Sequence, residues 1–255
     1  RGCKVVYDLS FYKEWGSDLN YKFARNFDLL KVFPYLELTT ATELEISYYK
    51  RHFYYVGNNT SERIDDFSFL EKNPPIYLGG YYHLPISVWV PAFMSTYRLS
   101  SDIFDENSKI LMSEIKQNTN SVAVHVRRGD LSVEVPAYGK PASLNYFKEA
   151  IGYMKKETTA PYFYFFSDEP EWVVSELIPY LELANKNYRV VDINGSDKGY
   201  MDLFLIAYCQ HQITSKGTLG KYGALLRDSV DKIVILCDDK VEYQWKGVFH
   251  NPIFL

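Results

Sequence analysis

Two adjacent arginines, Arg127 and Arg128, follow an apolar stretch at residues 121–126 and precede Gly129 and Asp130. Neighbouring guanidinium groups repel each other unless an anion lies between them, and their planar N–H forks match phosphate oxygens two at a time. These residue types therefore predict a site for a phosphorylated ligand. A solvated surface charge cluster and an adhesion signal formed by residues 128–130 are the alternatives.

The side-chain alternation of a strand divides this stretch into two faces. Val122, Val124 and Val126 share one face, whereas His125 and Arg127 share the other. The valine face is expected to pack in the core and the opposite face to contact the ligand. For His125, a buried histidine with satisfied hydrogen bonds is the alternative.

A second phosphate-binding pattern lies at residues 211–223, where a predicted strand runs into Ser215, Gly217 and Thr218 before a predicted helix. Small hydroxyls, a flexible glycine backbone and a helix N-terminus together form a cradle for phosphate. The stretch lacks the spacing of a P-loop. It gains weight because it belongs to the same predicted sheet as the two arginines.

Two further polar positions admit both structural and functional interpretations. Asp202 lies among the apolar residues 199–207, where a buried carboxylate is costly unless it is paired. A partner with two adjacent N–H donors, such as guanine, is one explanation, and a helix N-terminus is the other. Asp168, with Glu171 three residues later, predicts a helix cap, and the polar loop that contains it is expected on the strand-end side where the arginine pair lies.

The second half of the chain alternates between β-rich apolar stretches and segments with helical spacing. Predicted strands occupy residues 122–126, 162–166, 188–193, 212–215 and 232–236, and predicted helices occupy 144–156, 171–181, 200–209 and 219–227. This alternation predicts a parallel sheet with right-handed crossovers. Ligands of such sheets bind beyond the carboxyl ends of the strands, where the arginine pair lies.

The first half is less regular and rich in aromatic residues. It contains a strand-like stretch at residues 75–82 and helical patterns at 88–97 and 104–117. We interpret residues 1–118 as part of an N-terminal α/β lobe and residues 119–255 as a C-terminal lobe.

Composition narrows the class of protein. The 255 residues are 47% hydrophobic and 24% charged, which is ordinary for a soluble globular protein, and the net charge of -4 argues against nucleic-acid binding. Cys3, Cys209 and Cys237 show neither metal-ligand spacing nor a disulfide framework, so we expect a reducing, cytoplasmic setting and no metal site. The longest apolar stretch, residues 84–94, is too short to span a membrane.

The order of the motifs resembles that of the bacterial α-1,2-fucosyltransferases of glycosyltransferase family 11. The resemblance rests on residues 76–82, 124–130, 165–172, 200–203 and 209–213, and it extends over residues 70–237. The pattern His-x-Arg-Arg-x-Asp alone is shared with α-1,6- and protein O-fucosyltransferases. The combination of motifs favours the α-1,2 group.

The resemblance implies a GT-B fold, an α/β architecture of two Rossmann-like lobes with the donor site in the C-terminal lobe. It implies metal-independent transfer of L-fucose, with inversion and without a cofactor, from GDP-β-L-fucose to the 2-hydroxyl of a terminal β-galactoside. The expected setting is bacterial O-antigen or capsule synthesis in the cytoplasm, with peripheral membrane association through a lipid-linked acceptor. A GDP-sugar-binding module without turnover, and a transferase for another donor or acceptor, are the alternatives.

The resemblance also implies roles for single residues. Arg127 would hold the β-phosphate of GDP, His125 would lie beside the nucleoside, Asp202 would pair with guanine and Thr218 would contact phosphate. Because negative charge grows on the leaving pyrophosphate, an arginine placed in advance stabilises the transition state.

Two carboxylates that follow the arginines, Asp130 and Glu134, are the candidates for the general base. For Asp130, a structural pairing with Arg128 is the alternative.

The chain departs from the family pattern in two places. It lacks the segment Gly-Gly-x-Gly-Asn-Gln, so we expect the N-terminal lobe to be incomplete. Residues 216–224 read Lys-Gly-Thr-Leu-Gly-Lys-Tyr-Gly-Ala in place of the usual Asn-Ser-Ser-Phe-Ser-Trp-Trp-Gly-Ala.

Overall fold

The computed structural model describes residues 3–14, 16–18, 23–24, 26–56, 68–79, 84–133, 139–195 and 198–255. The chain forms two compact units, Arg1–Tyr97 and Arg98–Leu255. The second unit begins before the predicted boundary at residue 118, because the helix Glu106–Gln117 packs against the later helix Gly199–Tyr208. Whether the two units are the lobes of a GT-B enzyme stays a prediction.

The first unit contains short helices and two small sheets. Its helices are α1 (Ser10–Glu14), α2 (Leu29–Val32), α3 (Glu43–His52), α4 (Ser68–Glu71) and α5 (Ile86–Thr96), and its strands are β1 (Ser17–Asp18), β2 (Phe23–Ala24), β3 (Tyr54–Val56) and β4 (Tyr77–Gly79). Strands β1 and β2 pair antiparallel, whereas β3 and β4 pair parallel. A capping box between Thr42 and Glu45 begins α3.

The second unit is built on a six-stranded parallel sheet. Its strands are β5 (Ser121–Val126), β6 (Tyr162–Ser167), β7 (Tyr188–Val191), β8 (His211–Thr214), β9 (Val234–Leu236) and β10 (Pro252–Phe254). The spatial order is β10-β9-β8-β5-β6-β7. This is the strand order of the doubly wound nucleotide-binding fold, in which the direction of winding reverses between β5 and β8.

All five predicted strands of this sheet are confirmed, and β10 was not predicted. Strand β10 lies at the sheet edge and begins with Pro252. Proline cannot donate a ladder hydrogen bond and is therefore confined to edges and strand starts, so it weakened the strand signal in the sequence.

The helices of the second unit cover both faces of the sheet. They are α6 (Glu106–Gln117), α7 (Leu144–Glu157), α8 (Pro170–Trp172) continuing through a π-helical turn (Val173–Leu177) into α9 (Ile178–Leu181), α10 (Gly199–Tyr208) and α11 (Leu219–Leu226). Short 3₁₀ helices occupy Ser101–Ile103, Gly129–Val133, Asn185–Asn187 and Glu242–Trp245. The side chains of Asp105 and Ser143 cap α6 and α7.

All six residues of β5 are buried, so the face that was expected to contact the ligand, with His125, is buried like the valine face. Val122, Val124 and Val126 are fully buried in an apolar cluster with the inward side chains of α7, among them Phe147 and Met154. Burying each such phenylalanine stabilises the fold by about 1.5–3 kcal/mol. On the opposite face His125 lies against α11, and α10 packs against both α6 and α11.

No helix in the described parts of the chain is both long enough and apolar enough to cross a membrane. Cys209 and Cys237 are buried free thiols, and Cys3 is exposed.

Candidate functional site

The loops that follow β5 and β8 lie side by side, because these two strands are neighbours in the sheet. The backbone N–H of Arg127 donates to Oγ of Ser215 over 2.8 Å, and the N–H of Ser215 donates to the carbonyl of His125 over 3.1 Å. These two bonds join the arginine motif to the predicted phosphate cradle. The pair of loops lies at the point where doubly wound sheets bind their ligands.

The guanidinium of Arg127 contacts two carboxylates. Its Nη2 lies 2.8 Å from Asp130, and its Nη1 lies 2.8 Å from Asp168. The Arg127 side chain keeps 27% of its surface exposed. The expected pairing of Asp130 with Arg128 is therefore wrong, because the 3₁₀ turn Gly129–Val133 returns Asp130 to Arg127 instead.

Arg128 has a different set of partners. Its Nε lies 3.0 Å from Glu169, and its guanidinium carbon lies 3.7 Å from the ring centre of Trp172. Its backbone N–H donates to Asp168 over 2.9 Å. Cation–π contact and ion pairing hold the Arg128 guanidinium against the start of α8, so the guanidinium groups of the two arginines have different partners.

Asp168 does not cap a helix, contrary to the sequence prediction. The N-cap residue of α8 is Glu169, and no side chain forms a capping hydrogen bond there. Asp168 instead follows β6 and reaches the arginines that follow the neighbouring strand β5. The order of the strands decides this pairing, and the local sequence does not contain that information.

His125 is 6% exposed and lies against α11. Burial, together with the charges of Lys221 and Arg127, lowers the pKa of His125 to about 3, so the imidazole is neutral at physiological pH. No described group forms a hydrogen bond with its Nδ1. A side chain at Gly220 would place its Cβ 2.8 Å from this ring, so only glycine allows α11 to approach so closely.

A buried lysine, Lys221, binds the backbone of the loop after β8, a role that the sequence did not predict. Nζ of Lys221 donates to the carbonyl oxygens of Ser215 and Gly217, and it lies 2.7 Å from Glu242. Burial lowers the pKa of Lys221, and the Glu242 carboxylate opposes that shift. Because the carbonyls of the loop are turned toward the ammonium, this contact fixes the orientation of the loop's peptide groups.

The remaining residues of the cradle lie beside Arg127. Gly217 has a φ of +84°, in the left-handed region that favours glycine, and its Cα lies next to the Arg127 stem. Thr218 is the N-cap residue of α11, but its hydroxyl makes no capping hydrogen bond. The structure thus gathers six of the predicted site residues at one strand-end edge: His125, Arg127, Asp130, Ser215, Gly217 and Thr218.

Asp202 lies in the first turn of α10, which follows the edge strand β7. It accepts a hydrogen bond of 2.7 Å from the side-chain amide of Asn194. Burial raises the pKa of Asp202 to about 7, and the bond from Asn194 opposes that shift. No ion pair or hydrogen bond among the described residues joins Asp202 to Arg127, so its expected contact with guanine stays a prediction.

Glu134, the second candidate base, lies outside the described residues. Within the described ranges, no group of three or more His, Cys, Asp and Glu side chains is arranged to hold a metal ion.

Comparison with known proteins gives a family and two relatives from Escherichia coli. An O-antigen biosynthesis glycosyltransferase, WbnK, is 26% identical over 144 residues, which cover 54% of this chain and 46% of WbnK. An alpha-1,2-colitosyltransferase is 28% identical over 119 residues, which cover 46% of this chain and 40% of that protein. The matches thus span less than half the length of either relative, and no solved structure matches the chain.

The sequence profile of glycosyl transferase family 11 matches residues 59–245, which include β5, β8 and the loops that follow them. The resemblance predicted from the motifs is therefore confirmed, and the chain belongs to glycosyltransferase family 11.

Proposed function

We propose that this chain is the donor-binding part of an inverting glycosyltransferase that transfers L-fucose from GDP-β-L-fucose to the 2-hydroxyl of a terminal β-galactoside. One observation carries the proposal: Arg127 and the Ser215–Thr218 loop meet between β5 and β8, at the switch point of a nucleotide-binding sheet. Membership of family 11 supports the same activity. The GT-B arrangement of two lobes is part of this proposal.

The chemistry requires the enzyme to stabilise a leaving nucleoside diphosphate. The Arg127 guanidinium, partly exposed at the strand ends, is the cation placed for the pyrophosphate, and the N–H groups that begin α11 add partial positive charge. We propose that these groups supply the charge stabilisation that a divalent metal supplies in other transferases. His125, which is neutral and packs against Gly220, would contact the nucleoside part of the donor.

The general base is proposed among the carboxylates that follow Arg127. Asp130 is 7% exposed and paired with Arg127, so it is close to the proposed reaction centre but already engaged. Glu134, four residues later in the sequence, remains the second candidate. A pH–rate profile of Asp130→Asn separates the two, because loss of the base abolishes the acidic limb of kcat.

The test is a transfer assay with the chain, GDP-fucose and lactose, in the presence and absence of EDTA. We expect a fucosylated product with an α-1,2 linkage, identified by NMR, at a rate that EDTA does not change. Arg127→Lys keeps the charge but loses the planar fork, and we expect kcat/KM to fall at least about 100-fold, equal to about 2.7 kcal/mol.

Two results would contradict the proposal in different ways. Transfer to no β-galactoside would exclude the acceptor class. Tight GDP binding with neither transfer nor donor hydrolysis would instead favour a nucleotide-sugar-binding module without turnover. GDP-mannose, which shares the nucleotide but not the sugar, is the matched control for donor choice.

A second donor is supported by one relative, whose name states that it transfers colitose in an α-1,2 linkage. Colitose resembles fucose but lacks the 3-hydroxyl. Competition between GDP-fucose and GDP-colitose in the same assay distinguishes the two donors, and a larger kcat/KM for GDP-colitose would replace fucose in the proposal.

We further propose that the protein acts in O-antigen synthesis at the cytoplasmic face of the inner membrane, with a lipid-linked glycan as acceptor. The name of WbnK supports this setting. Deletion of the gene should remove the terminal α-1,2-linked sugar from the surface glycan, as measured by mass spectrometry. An unchanged glycan would contradict the setting.

A further inference from the structure

The cations around the candidate donor site are already paired with carboxylates of the protein itself. In the loops after β5 and β8 and in α11, Arg128 pairs with Glu169, Lys216 with Asp239 and Lys221 with Glu242. Arg127 pairs with two carboxylates, Asp130 and Asp168. These four cations therefore have five carboxylate partners, and a pyrophosphate that binds them competes with charges of the protein itself.

Arg127 presents to these carboxylates the N–H groups that a phosphate would need. Asp130 and Asp168 occupy Nη2 and Nη1, the two ends of the guanidinium fork, each over 2.8 Å. Arginine binds phosphate through the same fork, two parallel N–H groups at a time. The two contacts use one N–H group of each Nη and leave the other three N–H groups of the guanidinium, so a phosphate that takes the same two N–H groups must displace the carboxylates.

Asp168 cannot easily move away from the fork. Its Oδ1 accepts the backbone N–H of Arg128 over 2.9 Å, while its Oδ2 contacts Nη1 of Arg127. The backbone of Arg127 is fixed as well, through its bond to Ser215. The mobile partner is then the Arg127 side chain, which is 27% exposed and has rotatable bonds of its own.

We infer that Asp168 is a positioning residue: without donor, its carboxylate binds the Arg127 guanidinium, and the donor pyrophosphate must compete with this carboxylate for the same guanidinium. This inference rests on the proposed donor site and adds a specific contact to it. Donor binding exchanges a carboxylate for a phosphate on the same guanidinium. Before the donor binds, the carboxylate contact keeps the cation paired, and only an anion that competes with a carboxylate can take its place.

We therefore expect a substitution at Asp168 to increase the affinity for pyrophosphate, whereas substitutions in a binding site usually decrease it. Asp168→Asn removes the competing charge, yet its amide oxygen can still accept the N–H of Arg128. We expect the variant to bind inorganic pyrophosphate and GDP about tenfold more tightly than the wild type by titration calorimetry, equal to about 1.4 kcal/mol.

The neighbouring residue supplies a matched control. Glu169→Gln removes one charge from the adjacent position, but Glu169 pairs with Arg128 rather than with Arg127. We expect its affinity for pyrophosphate to change less than twofold. Should Asp168→Asn fold poorly, as judged by thermal unfolding, Asp168→Ser keeps a short acceptor for the N–H of Arg128 and takes its place.

Three results would overturn the inference. They are weaker or unchanged pyrophosphate binding by Asp168→Asn, an equal gain in Glu169→Gln, and no pyrophosphate binding by either the wild type or Asp168→Asn. Pyrophosphate contains neither guanine nor sugar. A tenfold gain in its binding, together with an absence of fucosyl transfer, would therefore contradict the proposed function and leave the inference standing.

Discussion

The two ends of the parallel sheet each bury a lysine, and the two lysines have different surroundings. Lys221 supports the loop at the carboxyl end of β8, is 1% exposed and forms an ion pair with Glu242. Lys232 precedes β9 at the amino end, is 2% exposed, and donates one described hydrogen bond, to the carbonyl of Ala207 over 3.3 Å. No ion pair of Lys232 is found among the described residues.

The surroundings of the two lysines indicate that charged side chains are paired at the carboxyl end of the sheet. At the carboxyl end, Arg127, Arg128, Lys216 and Lys221 each have a carboxylate partner, and the Glu242 carboxylate opposes the lowering of the Lys221 pKa by burial. At the amino end, burial lowers the pKa of Lys232 to about 8, because nearby charges only partly offset the lost hydration. We interpret the carboxyl end as the functional end and the amino end as structural.

The largest expected effect is at Lys221. Lys221→Met leaves Glu242 buried without its cation, and breaking a buried pair in this way costs about 3–5 kcal/mol of unfolding free energy. Urea denaturation measures the loss. The double variant Lys221→Met/Glu242→Met removes both charges and should recover most of the stability. A single variant as stable as the wild type would show that the pair does not support the loop.

Gly220 tests how closely α11 must approach the site. Gly220→Ala would place a Cβ 2.8 Å from the His125 ring, so we expect a loss of about 2 kcal/mol in stability and weaker GDP binding. Gly152→Ala is the matched control, since no atom lies within 4 Å of a Cβ at that position of α7. It should stabilise the protein by about 0.5–1 kcal/mol. Equal behaviour of the two variants in thermal unfolding would refute the close approach.

The structural end of the sheet gives a smaller effect with a defined pH dependence. The folded pKa of Lys232 is about 8, below its ordinary 10.5, so the unfolded chain binds more protons between these values. The contribution of Lys232 to stability therefore rises with pH across this window. We expect Lys232→Met to stabilise the protein by about 1–2 kcal/mol at pH 7 and to lose this advantage by about pH 10.

Denaturant titrations at several pH values measure this dependence, with transfer activity as the functional control. Lys232→Met should leave GDP binding unchanged, because Lys232 lies at the end of the sheet opposite the site. A loss of GDP affinity in this variant would contradict the interpretation of the amino end as structural and the carboxyl end as functional.

The smallest expected effect concerns Asp202 and guanine. The folded pKa of Asp202 is about 7, above its ordinary 3.8, so its contribution to stability falls as pH rises through this window. The carboxylate form that would accept two guanine N–H groups is populated only above that pKa. We expect the ratio of GDP to IDP affinity to rise about threefold between pH 6 and pH 8, since IDP lacks the 2-amino group.

The ratio of the two affinities removes the common effect of phosphate ionisation. Asp202→Asn should abolish the pH dependence of the ratio. A ratio near one at every pH would remove Asp202 from the guanine site.

The sequence predicted the sheet well because its strands are short apolar stretches between amphipathic helices, and this pattern is local. It also predicted that His125 and Arg127 share a face, which follows from strand geometry alone. Strand order is not local. The contact of Asp168 with Arg127 depends on β6 lying beside β5, and the support of the loop by Lys221 depends on Glu242, which follows β9.

Two predictions failed for the same reason. Asp130 and Asp168 were assigned to their nearest neighbours in sequence, Arg128 and a helix cap, whereas both contact Arg127. The partner of a carboxylate is set by distance in the folded structure and not by distance along the sequence. The sequence signal that could have found Asp168 is its position at the end of a strand predicted to belong to the same sheet as the arginines.

The most direct test of the central claim is a crystal structure of the protein with GDP bound. We expect the diphosphate to lie between the loops after β5 and β8, with the Arg127 guanidinium within hydrogen-bond distance of a phosphate oxygen and its contact to Asp168 broken. A diphosphate bound elsewhere, or Arg127 still paired with both carboxylates, would contradict it.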